Sequence, residues 1–368
     1  MMHVNIDFAA PADDAAIRRL VKRQPVPGRI TVAFEREPDF SLGCAVTGDD
    51  CRILVARTGE DAEVVGVACR SVRHVFVNGR EQRLGYLGQL RVDERFRGRW
   101  LVSRGFALLR QLHDDDPVPA YLTSMIGGNE EATAVLVQKR RKSFPSFHAV
   151  ADYCTLAIDA HRPKAPLACD ACISPANSNE LAELADFLRK HGRERQFFSV
   201  WTEKALGNLA TLGLRTEDLR IARRGKEIVG VIGLWDQSAY KQTVVRGYSG
   251  WLKAAAPLWN SSAGWFGRNA LPRPGEKLRS AYAGLICVAD DDSAVFRSLL
   301  REIYNLANLR GFGYLLVGLD ARDPLLPVAQ AYAHVFYPSR FYLAEWSAGG
   351  HLHEQLDRRP VYVDAATL

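Results

Sequence analysis

Gly88-Gln89-Leu90-Arg91-Val92-Asp93-Glu94-Arg95-Phe96-Arg97-Gly98-Arg99-Trp100-Leu101-Val102 is the stretch on which the fold is decided. Residues 83–92 have the composition of a strand, ending at Val92. A short basic turn follows. Residues 101–112 then carry Phe106, Leu108, Leu109 and Leu112 on one helical face. A turn from strand into helix aims unpaired backbone N–H groups and the positive end of the helix dipole at one point. That point suits a pyrophosphate. Arg97 and Arg99 would add charge-assisted hydrogen bonds. The competing reading is a surface turn whose arginines serve solubility.

Working outward, residues 1–9 read as a strand. Pro11-Ala12-Asp13-Asp14 starts a helix whose apolar face is Ile17, Leu20 and Val21. Pro25-Val26-Pro27-Gly28 ends it, and a loop with Glu37 and Asp39 follows. Residues 52–57 and 63–72 are β-rich, and Asn78-Gly79 is a hairpin signal. A strand at 120–125, a helix at 129–138 and a strand at 147–158 complete the first half. Hairpins first and helical crossovers later imply an α/β (α+β) mixed sheet.

The order of elements then repeats without repeating the residues. Helices are expected at 179–191, 199–209, 292–310 and 325–336. Strands are expected at 219–223, 228–235, 281–288, 314–317 and 341–346. Residues 244–277, rich in Trp, Pro and Gly, fit this template poorly. Two tandem domains result: 1–160 and 171–348, a Pro/Ala linker at 161–170, and a tail at 349–368.

The strand–turn–helix stretch resembles motif A of the GNAT superfamily of acyltransferases. There a strand ends in an apolar residue, followed after about five residues by Arg/Gln-x-x-Gly-x-Gly/Ala at a helix start. Val92 matches the strand end, Arg97 the first motif position, and Gly98 and Arg99 its common filler residues. Trp100 stands in place of the central Gly and Val102 in place of the last Gly/Ala, so side chains stand where the family keeps bare backbone. Asn129-Glu130-Glu131-Ala132 resembles motif B, whose Asn contacts the pantetheine arm; on the residues alone, Asn129 is equally a helix N-cap. The resemblance covers roughly residues 1–158. It implies two tandem GNAT-like acyl-CoA N-acyltransferase domains. Acetyl-CoA or another acyl-CoA would bind at Leu90, Val92, Arg97, Gly98, Arg99, Trp100, Leu101, Val102 and Asn129. The backbone N–H near Leu90 or Val92 would stabilise the thioester oxygen. At the matching turn of the second half, Cys287-Val288-Ala289-Asp290-Asp291-Asp292-Ser293-Ala294 has three aspartates and neither Arg nor Gly. Acids there suit the helix dipole but repel a pyrophosphate, so the second half reads as a copy without coenzyme, shaping the acceptor pocket or a homodimer.

Acyl transfer to an amine also needs proton movement. The family's Tyr on the motif B helix has no counterpart in Leu136-Val137-Gln138. The remaining titratable candidates are Glu94, Tyr86 and Tyr121, each with an ordinary structural alternative. Glu37 and Asp39 would suit a cationic amine acceptor, or be a solvated loop. His113 before Asp114-Asp115-Asp116 reads as a solvated helix end. His351-Leu352-His353 could set two imidazoles on one strand face, but no metal site is expected, and the Cys169/Cys172 pair lacks the second pair that a zinc site needs.

Composition bounds the rest. Seven scattered cysteines in 368 residues argue against a disulfide framework. The first residues carry Asp7 and do not read as a signal peptide, and no apolar run could span a bilayer, so a cytoplasmic protein is expected. A net charge of +6 does not choose between coenzyme phosphates and nucleic acid. No nucleophile elbow or P-loop occurs. Three functions remain: an acetyl-CoA-dependent N-acetyltransferase acting on a small-molecule, peptide or protein amine; an aminoacyl-tRNA-dependent transferase of similar tandem fold; and a non-catalytic module.

Overall fold

A computed structural model of the chain describes residues 4–26, 28, 30–59, 63–97, 100–138, 144–263, 271–346 and 351–368. The first half contains β1 (Val4–Phe8), α1 (Asp14–Lys22), β2 (Ile30–Glu35), α2 (Phe40–Ala45), β3 (Asp50–Thr58), β4 (Val64–Val77) and β5 (Arg80–Val92). It continues with α3 (Leu101–Asp115), β6 (Tyr121–Ile126), α4 (Glu130–Thr133) and β7 (Ser146–Asp159). The second half contains β8 (Cys172–Pro175), α5 (Leu181–Gly192), α6 (Glu203–Asn208), β9 (Leu219–Arg224), β10 (Glu227–Trp235), β11 (Gln242–Tyr248) and α7 (Gly250–Ala263). After these come β12 (Ser280–Val288), α8 (Ser293–Leu309), β13 (Tyr314–Asp320), α9 (Leu326–Gln330), β14 (His334–Glu345) and α10 (Leu352–Gln355).

Twelve strands form one mixed sheet in the order β1-β3-β4-β5-β6-β14-β7-β13-β12-β10-β9-β8. Read inward from either edge, five strands of one half are followed by the last strand of the other: β14 beside β6, and β7 beside β13. The two halves are thus tied by an exchange of final strands. Among the described residues, only β5–β6 and β12–β13 are parallel strand pairs, one in each half. A two-stranded sheet of β2 and β11 makes a second link between the halves.

Local chemistry accounts for most elements. Asn78 and Gly79 both have positive φ, as a two-residue turn joining right-twisted strands requires. Asp292 caps α8 by accepting from the Ala294 and Val295 N–H groups. The α8 face of Val295, Phe296, Leu299, Leu300 and Ile303 is wholly buried against the second half of the sheet. On the first half, α1 and α2 cover the sheet face that carries Val67 and Cys69. α3 covers the opposite face, meeting Val72 and Tyr121 through Phe106 and Leu109.

Several sequence expectations need correction. The helix over 325–336 shrinks to Leu326–Gln330, because His334, Val335 and Phe336 pair with Ile158, Ala157 and Leu156 of β7. The helix over 199–209 begins only at Glu203, after the Thr202 cap. His351-Leu352-His353 enters α10 and is no strand; the His353 ring instead bonds the buried Glu345 at 2.6 Å. His113 is no solvated helix end: it is 9% exposed and its Nδ1 lies 3.2 Å from the Tyr121 hydroxyl. The tail runs into the core, with Val361, Tyr362, Val363, Asp364 and Ala366 all buried. No helix among the described residues is long and apolar enough to cross a membrane.

Candidate functional site

The site is set by what β5 does after it leaves β6. The two strands pair in parallel only at Gly85–Tyr121 and Tyr86–Leu122. Beyond Tyr86 they diverge. On its other side β5 is bulged: Gly88 faces Cys69 and Arg91 faces Val67, so Gln89 and Leu90 together face Ala68. Gln89 takes the left-handed conformation at φ 57°. A bulge of this kind turns successive amides away from regular ladder positions. Here it does so at the edge of the gap between β5 and β6.

The second half repeats the device. β12 pairs with β13 in parallel through Tyr282–Leu316, and then bulges at Leu285, φ 54°, with Leu285 and Ile286 facing Ile232. The residues align as well: Gly85-Tyr86-Leu87-Gly88-Gln89-Leu90 against Ala281-Tyr282-Ala283-Gly284-Leu285-Ile286. This shared Tyr-x-Gly-x-Leu/Ile is the signal from which sequence reasoning could have found both bulges.

The two bulges differ in what meets them. An Asp364 carboxylate oxygen accepts from the Leu285 N–H at 2.6 Å, and the Tyr362 hydroxyl accepts from the Ile286 N–H at 2.8 Å. Residues 365–367 form a helical turn against β12 and β13. The second bulge is therefore met by the chain's own tail, with the Asp364 carboxylate on its first amide. Among the described residues, no side chain accepts from the Gln89, Leu90 or Arg91 N–H groups.

Around the first gap, the Tyr86 hydroxyl lies 3.3 Å from the Ser124 hydroxyl of β6 and so spans the opening. Burial pushes the Tyr86 phenol up from its ordinary pKa, offset in part by Ser124 and by the Arg73 charge. A cavity of about 20 Å³, room for one water, lies among Thr47, Arg73, Leu84, Tyr86, Phe197, Val363 and Thr367. Arg73 is held there by bonds to Ser199 Oγ (3.2 Å), Thr367 Oγ1 (3.1 Å) and the Val46 carbonyl (2.6 Å). Lys241 Nζ donates to the Ala366 and Leu368 carbonyls, and burial pulls its pKa well down. Arg73 and Lys241 carry no motif, and sequence reasoning did not reach them.

The sequence-predicted residues divide into groups. Leu90 lies in the bulge and is 39% exposed, next to a gap rimmed by the equally exposed Ile126. Val92 pairs with Gly66 at the strand end, and its carbonyl accepts from Gln24 Nε2 at 2.7 Å. Arg97 closes a helical turn of residues 94–96 and has the Glu94 carboxylate 3.7 Å away. Gly98 and Arg99 lie outside the described residues. Trp100 precedes α3 at the surface, 42% exposed, its ring stacked by the Arg104 guanidinium at 5.6 Å. Leu101 is buried against Val4, Ala56 and Val65, and Val102 packs with the Phe106 cluster. Asn129 caps α4 by accepting from the Ala132 N–H at 3.1 Å.

The other four candidates are placed as follows. Glu94 is a solvent-facing acid, with 81% of its side chain exposed. Tyr121 is sealed inside the sheet and bonds Arg70 Nε (3.3 Å) as well as His113. Glu37 pairs with Arg18. Asp39 caps α2, accepting from the Ser41 N–H (2.7 Å) and hydroxyl (2.8 Å), and these bonds pull its pKa down. Both loop carboxylates make bonds that hold the loop. Two of the three acids of the second strand-to-helix turn are ion-paired: Asp291 with Arg195, and Asp292 with Arg224 at 2.7 Å.

No family model matches the sequence, and no curated protein matches it. Solved structures do match. The glucosamine N-acetyltransferase region of a fungal multi-domain β-N-acetylglucosaminidase aligns with a TM-score of 0.62 at 14% identity over 93% of this chain and 38% of that one. This chain thus spans well under half of that protein. N-myristoyltransferase of Saccharomyces cerevisiae with bound myristoyl-CoA aligns at 0.64 and 8% identity, covering 93% and 79%. A GCN5-related N-acetyltransferase from Sphaerobacter thermophilus aligns at 0.57 and 13% identity, covering 99% and 98%. With these likenesses, the parallel β5–β6 pair, the bulge and the crossover helix α3 identify the fold: the chain is built as two tandem halves of the GNAT acyltransferase fold.

Proposed function

We propose that this protein is an acyl-CoA-dependent N-acyltransferase that moves an acyl group, acetyl in the simplest case, from the coenzyme thioester to an amine by direct attack. The observation that carries the proposal is the contrast between the two bulges. The Leu285 amide is already bonded to Asp364, whereas among the described residues no side chain accepts from the Gln89–Leu90 bulge, which borders an opening. In this reading residues 1–160 bind coenzyme, 171–348 complete the acceptor side, and the 349–368 tail meets the second bulge.

An acyl-CoA supplies an activated carbonyl. The chain's residues do the rest. Amides of the Gln89–Leu90 bulge donate to the thioester oxygen as charge builds on it. The turn at Arg97 and the first amides of α3 hold the diphosphate. Asn129 at the start of α4 meets the pantetheine arm. Exposed Leu90 and Ile126 line the gap with apolar surface suited to that arm. Tyr86, with its raised pKa, keeps its proton at neutral pH and gives it to the leaving thiolate. The cavity beside Arg73 and Tyr86 has room for one water, which would take the amine's proton and return one to the Tyr86 phenolate; the positive charge of Arg73 favours the neutral amine there.

Calorimetry with acetyl-CoA and longer acyl-CoAs, followed by a thiol-release screen of amine acceptors, tests this reading. Binding of one acyl-CoA per chain and acceptor-dependent thiol release support it. Strongly salt-dependent tRNA binding without coenzyme affinity would instead favour the aminoacyl-tRNA-dependent reading. Binding of neither would leave a non-catalytic module.

A further inference from the structure

Three cysteines from three different elements meet at one point behind the first half of the sheet. Cys44 ends α2, Cys51 lies on β3 and Cys69 on β4. Their sulfur atoms all lie within 4.8 Å of one another, and Cys44 Sγ is 3.4 Å from Cys69 Sγ. Sequence spacing hides this group: none of the three belongs to a Cys-x-x-Cys pair, and they come together only through folding. Cys44 and Cys69 are buried, while Cys51 is partly exposed. Cys44 and Cys51 border an open cleft of about 320 Å³, together with Ser41, Gly48, Asp49 and Ile53.

We infer that Cys44, Cys51 and Cys69 form a three-sulfur site for a soft divalent metal ion such as zinc, open toward this cleft at the fourth position. Tetrahedral coordination with metal–sulfur bonds of about 2.3 Å puts ligand sulfurs about 3.8 Å apart, so the trio needs only small rotamer adjustments to close on an ion. The open position faces solvent, where a water can complete the tetrahedron. Binding replaces the thiol protons: three S–H groups and one divalent ion give three metal–sulfur bonds and three protons released to solvent. The resulting unit carries one net negative charge. The buried Arg36 guanidinium lies alongside, donating to the Gly43 carbonyl at 2.6 Å, one residue from Cys44, and offsets that charge. The site also has a structural consequence. Thr47, which lines the cavity beside Arg73, donates its hydroxyl to the Cys44 carbonyl at 2.6 Å. A metal on Cys44 would therefore brace the end of α2 that forms one wall of that cavity.

Titrating the reduced full-length protein with cobalt(II) under anaerobic conditions tests the inference. The expected result is a sulfur-to-cobalt charge-transfer band that saturates at one ion per chain and is displaced by zinc. Zinc should protect the partly exposed Cys51 from alkylation, mapped by peptide mass, while leaving Cys169 and Cys172 reactive. C51A should lose the band, and the double variant C169A/C172A should keep it. Absence of a band in the wild-type protein overturns the site. So does protection that maps to Cys169 and Cys172, a readout that needs no variant to fold. These measurements use no acyl-CoA, so their failure leaves the transferase reading standing.

Discussion

Gln89 and Leu285 occupy the same place in the two halves of the sheet. Each is the left-handed residue of a bulge, φ 57° and 54°, three positions after a tyrosine that closes a short parallel pairing. One bulge faces a gap, and the other is bonded by Asp364. The pairing turns a general likeness of fold into specific expectations for each half.

If Tyr86 is the proton donor proposed above and Tyr121 a scaffold residue, their phenylalanine variants should differ in kind. Y86F should lower kcat by about 100-fold with little change in KM, as expected for loss of a proton donor used only in the chemical step. Y121F should leave kcat within about threefold but cost about 1–2 kcal/mol of stability, because Arg70 and His113 each lose a buried partner. Steady-state kinetics and urea unfolding of both variants check this. Equal kinetic losses in the two would remove Tyr86 from its role.

Arg97 should matter for affinity rather than for folding. Its side chain is 39% exposed and its carboxylate neighbour Glu94 is at the surface, so R97A should leave the unfolding midpoint nearly unchanged. Loss of a charge-assisted contact to a diphosphate should weaken acyl-CoA binding about tenfold or more. Isothermal calorimetry reads this directly. Unchanged affinity would take Arg97 out of the diphosphate site.

How much of this was legible beforehand depends on the range of the interaction. The Asn78-Gly79 hairpin and the cap of α8 are local, and the residues announce them. β14 is not local. His334–Phe336 have helix-compatible neighbours, and only β7, far away in the chain, makes them strand. Asp39 reads as an acid available to a substrate until its bonds to Ser41 are seen. His113 reads as solvent-facing because the sequence lists its acidic neighbours and not Trp346, whose ring lies 4.8 Å away. The bulges lay within reach, since Tyr-x-Gly-x-Leu/Ile occurs in both halves, but a motif search for phosphate loops passes over a pattern whose purpose is backbone shape.

Asp13 gives a pH test of the scaffold. Hydrogen bonding from Arg57, at 2.8 Å from its Nε, holds the Asp13 carboxyl below its ordinary pKa. A group depressed in the folded state stabilises the fold above its unfolded pKa of about 3.9 and loses that contribution as pH falls through the folded value. D13N should therefore be less stable than the wild type at pH ~7, and the gap should narrow as pH drops below ~4. Urea unfolding across that range measures it, and a gap that stays constant with pH would mean the Arg57 bond is not its source.

Gly85 is the last β5 residue but one to pair with β6, and a methyl group there has nowhere to go. A Cβ at Gly85 would run into the Tyr121 ring, which is fully buried against Trp346 and His113 and cannot swing aside. G85A should cost about 1–3 kcal/mol by overpacking. The strain falls on the pairing that sets where β5 and β6 part, so coenzyme affinity should fall together with stability. The matching position in the second half is already alanine, Ala281, which tolerates its methyl because the partner there is Leu315 and not a buried ring. In a Y121L background, where the ring is trimmed, G85A should cost less than it does in the wild type, a partial rescue. Failure of that rescue in denaturation and calorimetry would show that the glycine serves backbone conformation and not clearance.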